Sequence, residues 1–427
     1  MKIINTFSFT NNKILNICYY LILFFPLALI VGPLIGEIFL LLLILITFTF
    51  RDFRKNFFEI VKNNLVLKMI LLFSIYIFFL SLLSYDNFDI LKTGIFYFRY
   101  ALFSLAIYYI VLKKSDVLKN FFIFYFFLIL VILIDSFIQH YFGQNILGYQ
   151  KFGSRIVSFF EGEGILGSFI VRFYALVSVF YFLSKFLVNR LIILTVISLI
   201  FILIIFTLER SALLLFLISN LLIFFSIYQN KKKFVKKFSF LLLIITISFY
   251  LISIKNDFFM ERFYTQTKNE VAKLFDDTTD SKRKNILIVA YNMGSKNYLL
   301  GLGPKSFRYK CKELEYQVEK TKEFDERKRL ELNCITHPHN YIFQLYAETG
   351  LIGLFFYLFF FIYLLKKIFL TPNQNLNSMC LKLISISLLI NLFPLIGNGN
   401  IFNNFLSMIF FYNLGFFLFF NKNVLVK

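Results

Sequence analysis

The chain has no tryptophan and only three histidines, four cysteines and six prolines in 427 residues. Charged residues make up 16% and hydrophobic ones 59%, for a mean hydropathy of +0.74. These shortages exclude several classes. Four cysteines are too few for a disulfide scaffold. So little charge cannot cover a soluble domain of this length, so the solvent must be lipid. Residues 13–50 are apolar with a break at Gly32-Pro33. They read as two spans rather than as a cleavable leader with a small-residue cleavage site. No Asp-x-Asp cluster falls on the side expected to face outward, and no cofactor or metal is expected.

What the chain has in excess is positive charge, +21 net. On a soluble protein that would suggest nucleic acid; here the placement of the charges comes first. Apolar runs lie near 14–32, 34–50, 65–84, 91–112, 120–140, 165–187, 191–208, 211–228, 238–254, 341–365, 379–397 and 403–420. That makes about twelve segments long enough to span hydrocarbon. With the N-terminus in the cytoplasm, the inside loops are Arg51–Lys68, Lys113–Lys119, Lys185–Arg190, Lys231–Lys237, Lys366–Lys367 and Lys422–Lys427, all basic. The short outside loops near Gly32, Asp86 and Asn398 carry almost no Lys or Arg. The excess therefore reads as topology, and nucleic acid is not an expected partner.

The sequence thus predicts an all-α polytopic membrane protein in three parts. Residues 1–254 form a bundle of about nine spans, 255–340 one large outer loop, and 341–427 about three spans, with both termini cytoplasmic. The loop carries 17 Lys/Arg against 13 Asp/Glu. Loops this long cross regardless of charge, and they are usually functional or independently folded. Within it, "DSKRKNILIVAYNM" reads as an amphipathic helix with Ile286, Val289, Ala290 and Met293 on one face. "CKELEYQVEKTKEFDERKRLELNC" reads as a charged helical pair or one frayed helix, bracketed by Cys311 and Cys334. On an oxidising face those two could close a disulfide; two free thiols are the alternative.

Ionisable groups at span ends are costly enough to ask for a reason. "TLERSALL" sets Glu209 and Arg210 between two spans with almost no loop, either as a tight turn in the headgroups or as an arginine held at a cavity mouth. "SRIVSFFEGEGILGSFIVRF" carries Arg155, Glu161, Glu163 and Arg172; Arg172 lies inside a span, where it could snorkel outward or pair with Glu163. Arg283 stands one helix before the turn Gly301-Leu-Gly303-Pro304. "THPHNYIFQLYAETGLIGL" holds two of the three histidines, His337 and His339, with Asn340 as N-cap of the next span. The His-x-His pair has no third ligand of convincing spacing for zinc. Arginine forks bind phosphate at two points and keep their charge. A histidine can take a proton from a hydroxyl. Together they suit transfer of a group from a lipid-linked phosphate donor to an alcohol, with cations in place of a divalent ion.

Nearly the whole chain resembles the O-antigen ligase and polymerase superfamily of bacterial envelope glycosyltransferases. "HPHNYIFQLYAETGLIGL" is similar to its His-Asn…Glu-x-Gly-x-x-Gly signature, with the histidine on His339, the acid on Glu348 and the glycines on Gly350 and Gly353. "KRKNIL…YLLGLGPKSF" and "LERSA" are similar to its loop and span-end patterns, giving Arg283 and Arg210; Leu287 stands where a bulky aromatic is usual. "RIVSFFEGEGILGSFIVR" resembles a pattern of one branch, giving Arg155, Glu163 and Arg172.

The resemblance implies a GT-C-like membrane fold in the bacterial inner membrane with the large loop periplasmic. It also implies metal-independent, inverting transfer from an undecaprenyl-pyrophosphate-linked glycan donor. The acceptor would be lipid A-core in a ligase, another repeat unit in a polymerase, or a protein. It makes His339, Arg210 and Arg283 the catalytic candidates. His337, Arg155, Arg172, Glu163, Asn340 and Glu348 become candidates for substrate binding. A lipid-linked glycan transporter or flippase is the rival from another class, but it gains little from a one-sided loop carrying histidine.

Overall fold

The computed structural model describes residues 9–84, 87–183, 190–227, 257–275, 281–394 and 399–425, together with 239 and 396. Among them the chain is helical and forms no strand; isolated bridges pair Gln144 with Gln150 and Phe152 with Arg155. The first half runs α1 (Phe9–Leu23), α2 (Phe25–Val31), α3 (Pro33–Thr49), α4 (Arg51–Lys62), α5 (Leu65–Leu83), α6 (Phe88–Phe96), α7 (Phe98–Lys113) and α8 (Asp116–Phe142). It continues with α9 (Leu166–Leu183), α10 (Arg190–Phe206) and α11 (Arg210–Ile227). The loop region contributes α12 (Gln266–Phe275), α13 (Lys282–Lys296) and α14 (Glu326–Asn333). The last three helices are α15 (Tyr341–Leu370), α16 (Leu376–Asn391) and α17 (Asn404–Leu425).

Among the described residues, six helices are long and apolar enough to cross a membrane, or up to eight if each bent pair counts as one span. The expectation of about twelve is not confirmed by that count. The predicted span at 238–254 lies outside the described residues. The helices at Leu166–Leu183, Arg190–Phe206 and Leu376–Asn391, of 18, 17 and 16 residues, are apolar as well. The bends have local causes. Proline cannot donate to the residue four positions back and its ring crowds that carbonyl. Pro26 therefore breaks α1 from α2 at 52°, and the Ile22 carbonyl accepts from the Tyr412 hydroxyl at 2.8 Å instead. At Phe50 the backbone becomes extended, and α4, which carries Arg51, Arg54, Lys55 and Lys62, turns by 102°. Its single buried residue is Phe53.

The helices show which way they face. On α15, Leu351, Phe355, Leu358, Ile362 and Phe369 are exposed, while Gly353, Tyr357, Phe360, Leu364 and Ile368 are buried. An apolar stripe turned outward beside an apolar stripe turned inward is the pattern of a helix between lipid and bundle. This is a multi-pass membrane protein.

One interlock positions the large loop. α15 is broken at Gly350, where φ is 61°. The turn segment Tyr298–Gly303 fills the break. Leu302 and Gly303 donate to the Ala347 and Glu348 carbonyls at 3.1 and 2.8 Å, and Leu351 donates to the Tyr298 carbonyl at 2.7 Å. Tyr76 on α5 donates its hydroxyl to the carbonyls of Thr349 and Leu300, at 2.7 and 3.1 Å. Both motif glycines follow from this contact. Gly301 also has positive φ, and a Cβ at either position would run into the other segment's backbone.

The rest of the loop packs on α13, whose buried residues include Ile286, Val289, Ala290 and Met293, the face read from the sequence. They pack with Phe307, Tyr316 and Ala347. The charged stretch 311–334 is two short 3₁₀ turns and then α14, capped by Asp325 on the Lys328 amide at 2.7 Å. Cys311 and Cys334, with Cα atoms 5.6 Å apart, form a disulfide.

Candidate active site

Short loops near Gly32 and Gly399 and the large loop meet on one side of the bundle, around a cavity of about 750 Å³. Gly32 and Pro33, Phe159–Glu163, the start of α9, Lys305, Arg308, Thr336, His337 and Gly399–Leu406 all contribute to its wall. Each reaches it for a local reason. The segment 143–158 is tied to α8 by buried polar groups. Asp135 accepts from the Ser158 hydroxyl at 2.5 Å and the Ile146 amide at 3.0 Å. Gln139 accepts from the amides of Val157 and Ser158 at 2.8 and 2.9 Å. That fixes the backbone on which Arg155 stands.

Arg172, a candidate from the sequence, is buried at 3% exposure. It neither snorkels nor pairs with Glu163. Its Nη1 donates to Asn391 Oδ1 at 3.1 Å and to the Asn391 carbonyl at 3.3 Å. Its own carbonyl accepts from Ser387 Oγ at 2.9 Å and Asn391 Nδ2 at 3.3 Å. It thus lies where α9 meets α16, with one side in the cavity wall. Glu163 and Glu161 are exposed in the same wall.

Leu208, at φ 53°, makes the turn between α10 and α11 tight. Glu209 then folds back to cap α9, accepting from the amides of Gly167 and Ser168 at 2.7 and 3.0 Å and from the Ser168 hydroxyl at 2.7 Å. Burial raises its carboxyl above the ordinary range; the Ser168 and Gly167 hydrogen bonds and nearby Arg155 act the other way. Ser168 lines the cavity, so this cap shapes its floor.

Arg210 and Arg283 meet on a residue that sequence reasoning missed. Glu270 on α12 takes Arg210 on one carboxylate oxygen and Arg283 on the other, both at 2.7 Å. Arg210 also donates to Thr267 Oγ1 at 3.1 Å. Arg283 occupies the first turn of α13, where a cation opposes the helix dipole and needs such a partner. Arg262, on a π-helical turn at Glu261–Thr265, completes the group. It donates to Gln266 at 2.7 Å, and burial together with Arg155 and Arg210 lowers its pKa.

The histidines form another pair. The ring of His337 lines the cavity, with Nδ1 2.9 Å from the Thr336 hydroxyl. The ring of His339 is 4.1 Å away and exposed. His339 has φ 56°, a left-handed conformation that non-glycine residues hold at a cost and that clusters at functional sites. Asn340 is the N-cap expected, accepting from the amides of Ile342 and Phe343 at 2.9 and 3.3 Å.

Glu348 is fully buried. Its carboxylate accepts from the Phe307 amide at 3.2 Å and from Gln344 Nε2 at 2.9 Å, and Gln344 Oε1 accepts from the Ile401 amide at 3.2 Å. The chain Ile401–Gln344–Glu348–Phe307 braces the turn that carries Lys305 and Arg308. Those two cations were also missed, although "GLGPKSFR" places them directly after the glycine turn. Arg262 and Glu270 gave no such signal, because they sit in a run of ordinary polar residues. No group of three or more His, Cys, Asp or Glu able to hold a metal occurs among the described residues.

Compared with known proteins, residues 193–358 match a family described as O-antigen ligase. No curated protein matches the chain. The matched stretch runs from α10 through the large loop into α15, and so contains Arg210, Arg283, His337, His339 and Glu348 but not Arg155, Glu163 or Arg172.

Proposed function

We propose, from the O-antigen ligase domain at residues 193–358, that this membrane protein transfers a glycan from undecaprenyl pyrophosphate to lipid A-core on the periplasmic face. The observation that carries the reading is the clamp on Glu270. Two arginines from different elements grip the two oxygens of one anion, a geometry that suits a donor phosphate equally well. The acceptor hydroxyl attacks the anomeric carbon with inversion. Its proton passes to His339, or to His337 beside it, and the bond to the pyrophosphate breaks. Arg210 and Arg283 stabilise the departing charge where a metal ion would otherwise do so. Repeat-unit polymerisation and protein glycosylation use the same chemistry with another acceptor.

Purified protein in proteoliposomes, given lipid-linked donor and lipid A-core, tests the reading. Transfer should require both arginines. Near-normal transfer by Arg210→Ala and Arg283→Ala, at normal expression, would overturn the donor clamp. Elongation of the donor glycan in place of transfer to core would select the polymerase.

A further inference from the structure

We propose that Lys305 and Arg308, in a cavity wall shared with Arg172 and Asn400, form an anion site that recognises a phosphate or carboxylate on the sugar substrate. The larger cavity adjoins a second one of about 430 Å³, and Lys305, Arg308 and Asn404 line both. The two cations therefore stand on the partition between them.

Their position comes from the backbone and not from counter-ions. Lys305 is half-buried with φ 65° in the turn after Pro304. The amide of Phe307, two residues on, is held by Glu348. Among the described residues no carboxylate lies within ion-pair distance of Lys305 or Arg308. Asp89, in the second cavity, accepts from the Tyr309 hydroxyl. The shared wall is rich in donors. Arg172 Nε and Asn400 Nδ2 are buried without a hydrogen-bond partner, and both side chains line the larger cavity.

Buried polar atoms are nearly always satisfied, so unfilled donors in the same cavity wall as cations without an ion pair point to an acceptor-only ligand. Phosphate and carboxylate are such ligands. Exposed Glu161 and Glu163, in the same wall, suit the hydroxyls of the sugar that bears the charge. Only the sugar identity rests on the transferase reading above; the anion site rests on geometry.

The test is binding to the purified full-length protein in detergent, followed by calorimetry. The probes are N-acetylglucosamine 6-phosphate, glucuronic acid, uncharged N-acetylglucosamine and inorganic phosphate. We expect at least one charged sugar to bind about tenfold or more tighter than the uncharged one, since hydrogen bonds to ions exceed neutral ones. The preferred charged sugar identifies phosphate or carboxylate. Lys305→Met and Arg308→Gln should each weaken it about tenfold, and Lys305→Arg should restore binding. Equal binding of charged and uncharged sugars overturns the site. So does wild-type binding by both Lys305→Met and Arg308→Gln, with unfolding temperatures confirming that the variants fold. Inorganic phosphate binding as tightly as the sugar phosphate overturns the glycan part. Charged-sugar binding without transfer from any lipid-linked donor overturns the transferase reading and leaves this site standing.

Discussion

Two basic groups face the loop side of this molecule, and they differ in what balances them. Around Arg210, Arg262 and Arg283 a carboxylate is built in, Glu270, shared between two guanidinium groups. Around Lys305, Arg308 and Arg172 there is none within ion-pair distance, and position is enforced by a strained turn, a buried brace and a helix junction. A cluster with its own counter-ion is held together before substrate arrives, and the ligand must displace that ion. A cluster without one spends folding energy on keeping like charges together, and any incoming anion recovers it. The first arrangement suits a clamp that must release its product; the second suits recognition.

The histidines beside the second group offer the largest expected effect. General-base assistance is typically worth about 10²–10⁴-fold, so His339→Ala should insert normally and transfer slower by that order. The His337→Ala loss should be smaller. With a neutral imidazole as base, wild-type transfer falls as acid protonates the ring, and this limb should be missing in His339→Gln. A larger loss from His337→Gln, with its own missing limb, would move the base to the residue that lines the cavity.

Next is the clamp itself. Arg210→Lys and Arg283→Lys keep the charge but lose the fork, and each should slow transfer by roughly 30- to 1,000-fold, on the order of 2–4 kcal/mol. Rates within a few-fold of wild type would show that charge alone suffices there.

A smaller effect tests the counter-ion. Glu270→Gln leaves the arginines facing one another, and the unfolding midpoint should drop by about 2–4 °C. Added inorganic pyrophosphate should raise the midpoint more in this variant than in wild type. An equal rise in both would mean that Glu270 does not compete for the anion.

The smallest effect belongs to Lys305. Burial lowers its pKa, Arg308 and Arg99 add to this, and Glu348 and Asp89 oppose it. The ammonium must be charged to hold an anion. Binding of N-acetylglucosamine 6-phosphate should therefore weaken as pH rises, before the usual lysine range is reached. Lys305→Arg should flatten that slope.

Much of this was legible from one sequence. Apolar runs and their basic flanks located helices such as Leu65–Leu83 and Arg210–Ile227 within a residue or two. The face of α13 and the cap at Asn340 follow from spacing and from side-chain chemistry. Bends were less legible, because a run of apolar residues does not say where a helix will break, as at Phe24 and Phe50. The pairing partners were hidden for a different reason. Glu270 looks like any solvated glutamate, and Asn391 like any span-end asparagine. Only the fold brings them to Arg210, Arg283 and Arg172. The hydrogen bonds of Glu348 to Phe307 and Gln344 form a brace that no linear pattern reveals.

The seam between Tyr298–Gly303 and the break at Gly350 also bears on how the protein is made. The two halves of that seam leave the ribosome about fifty residues apart, and synthesis at ~5–20 residues per second sets the interval at seconds. Until Ala347–Ile352 has emerged, the carbonyls and amides that receive Leu302, Gly303 and Tyr298 do not exist. The turn bearing Lys305 and Arg308 must wait, with its glycines unrestrained, for a later helix to enter the membrane. Completion of the cavity wall is thereby tied to the order of insertion, and a nascent chain that stalls before α15 displays Lys305 and Arg308 without the brace from Glu348.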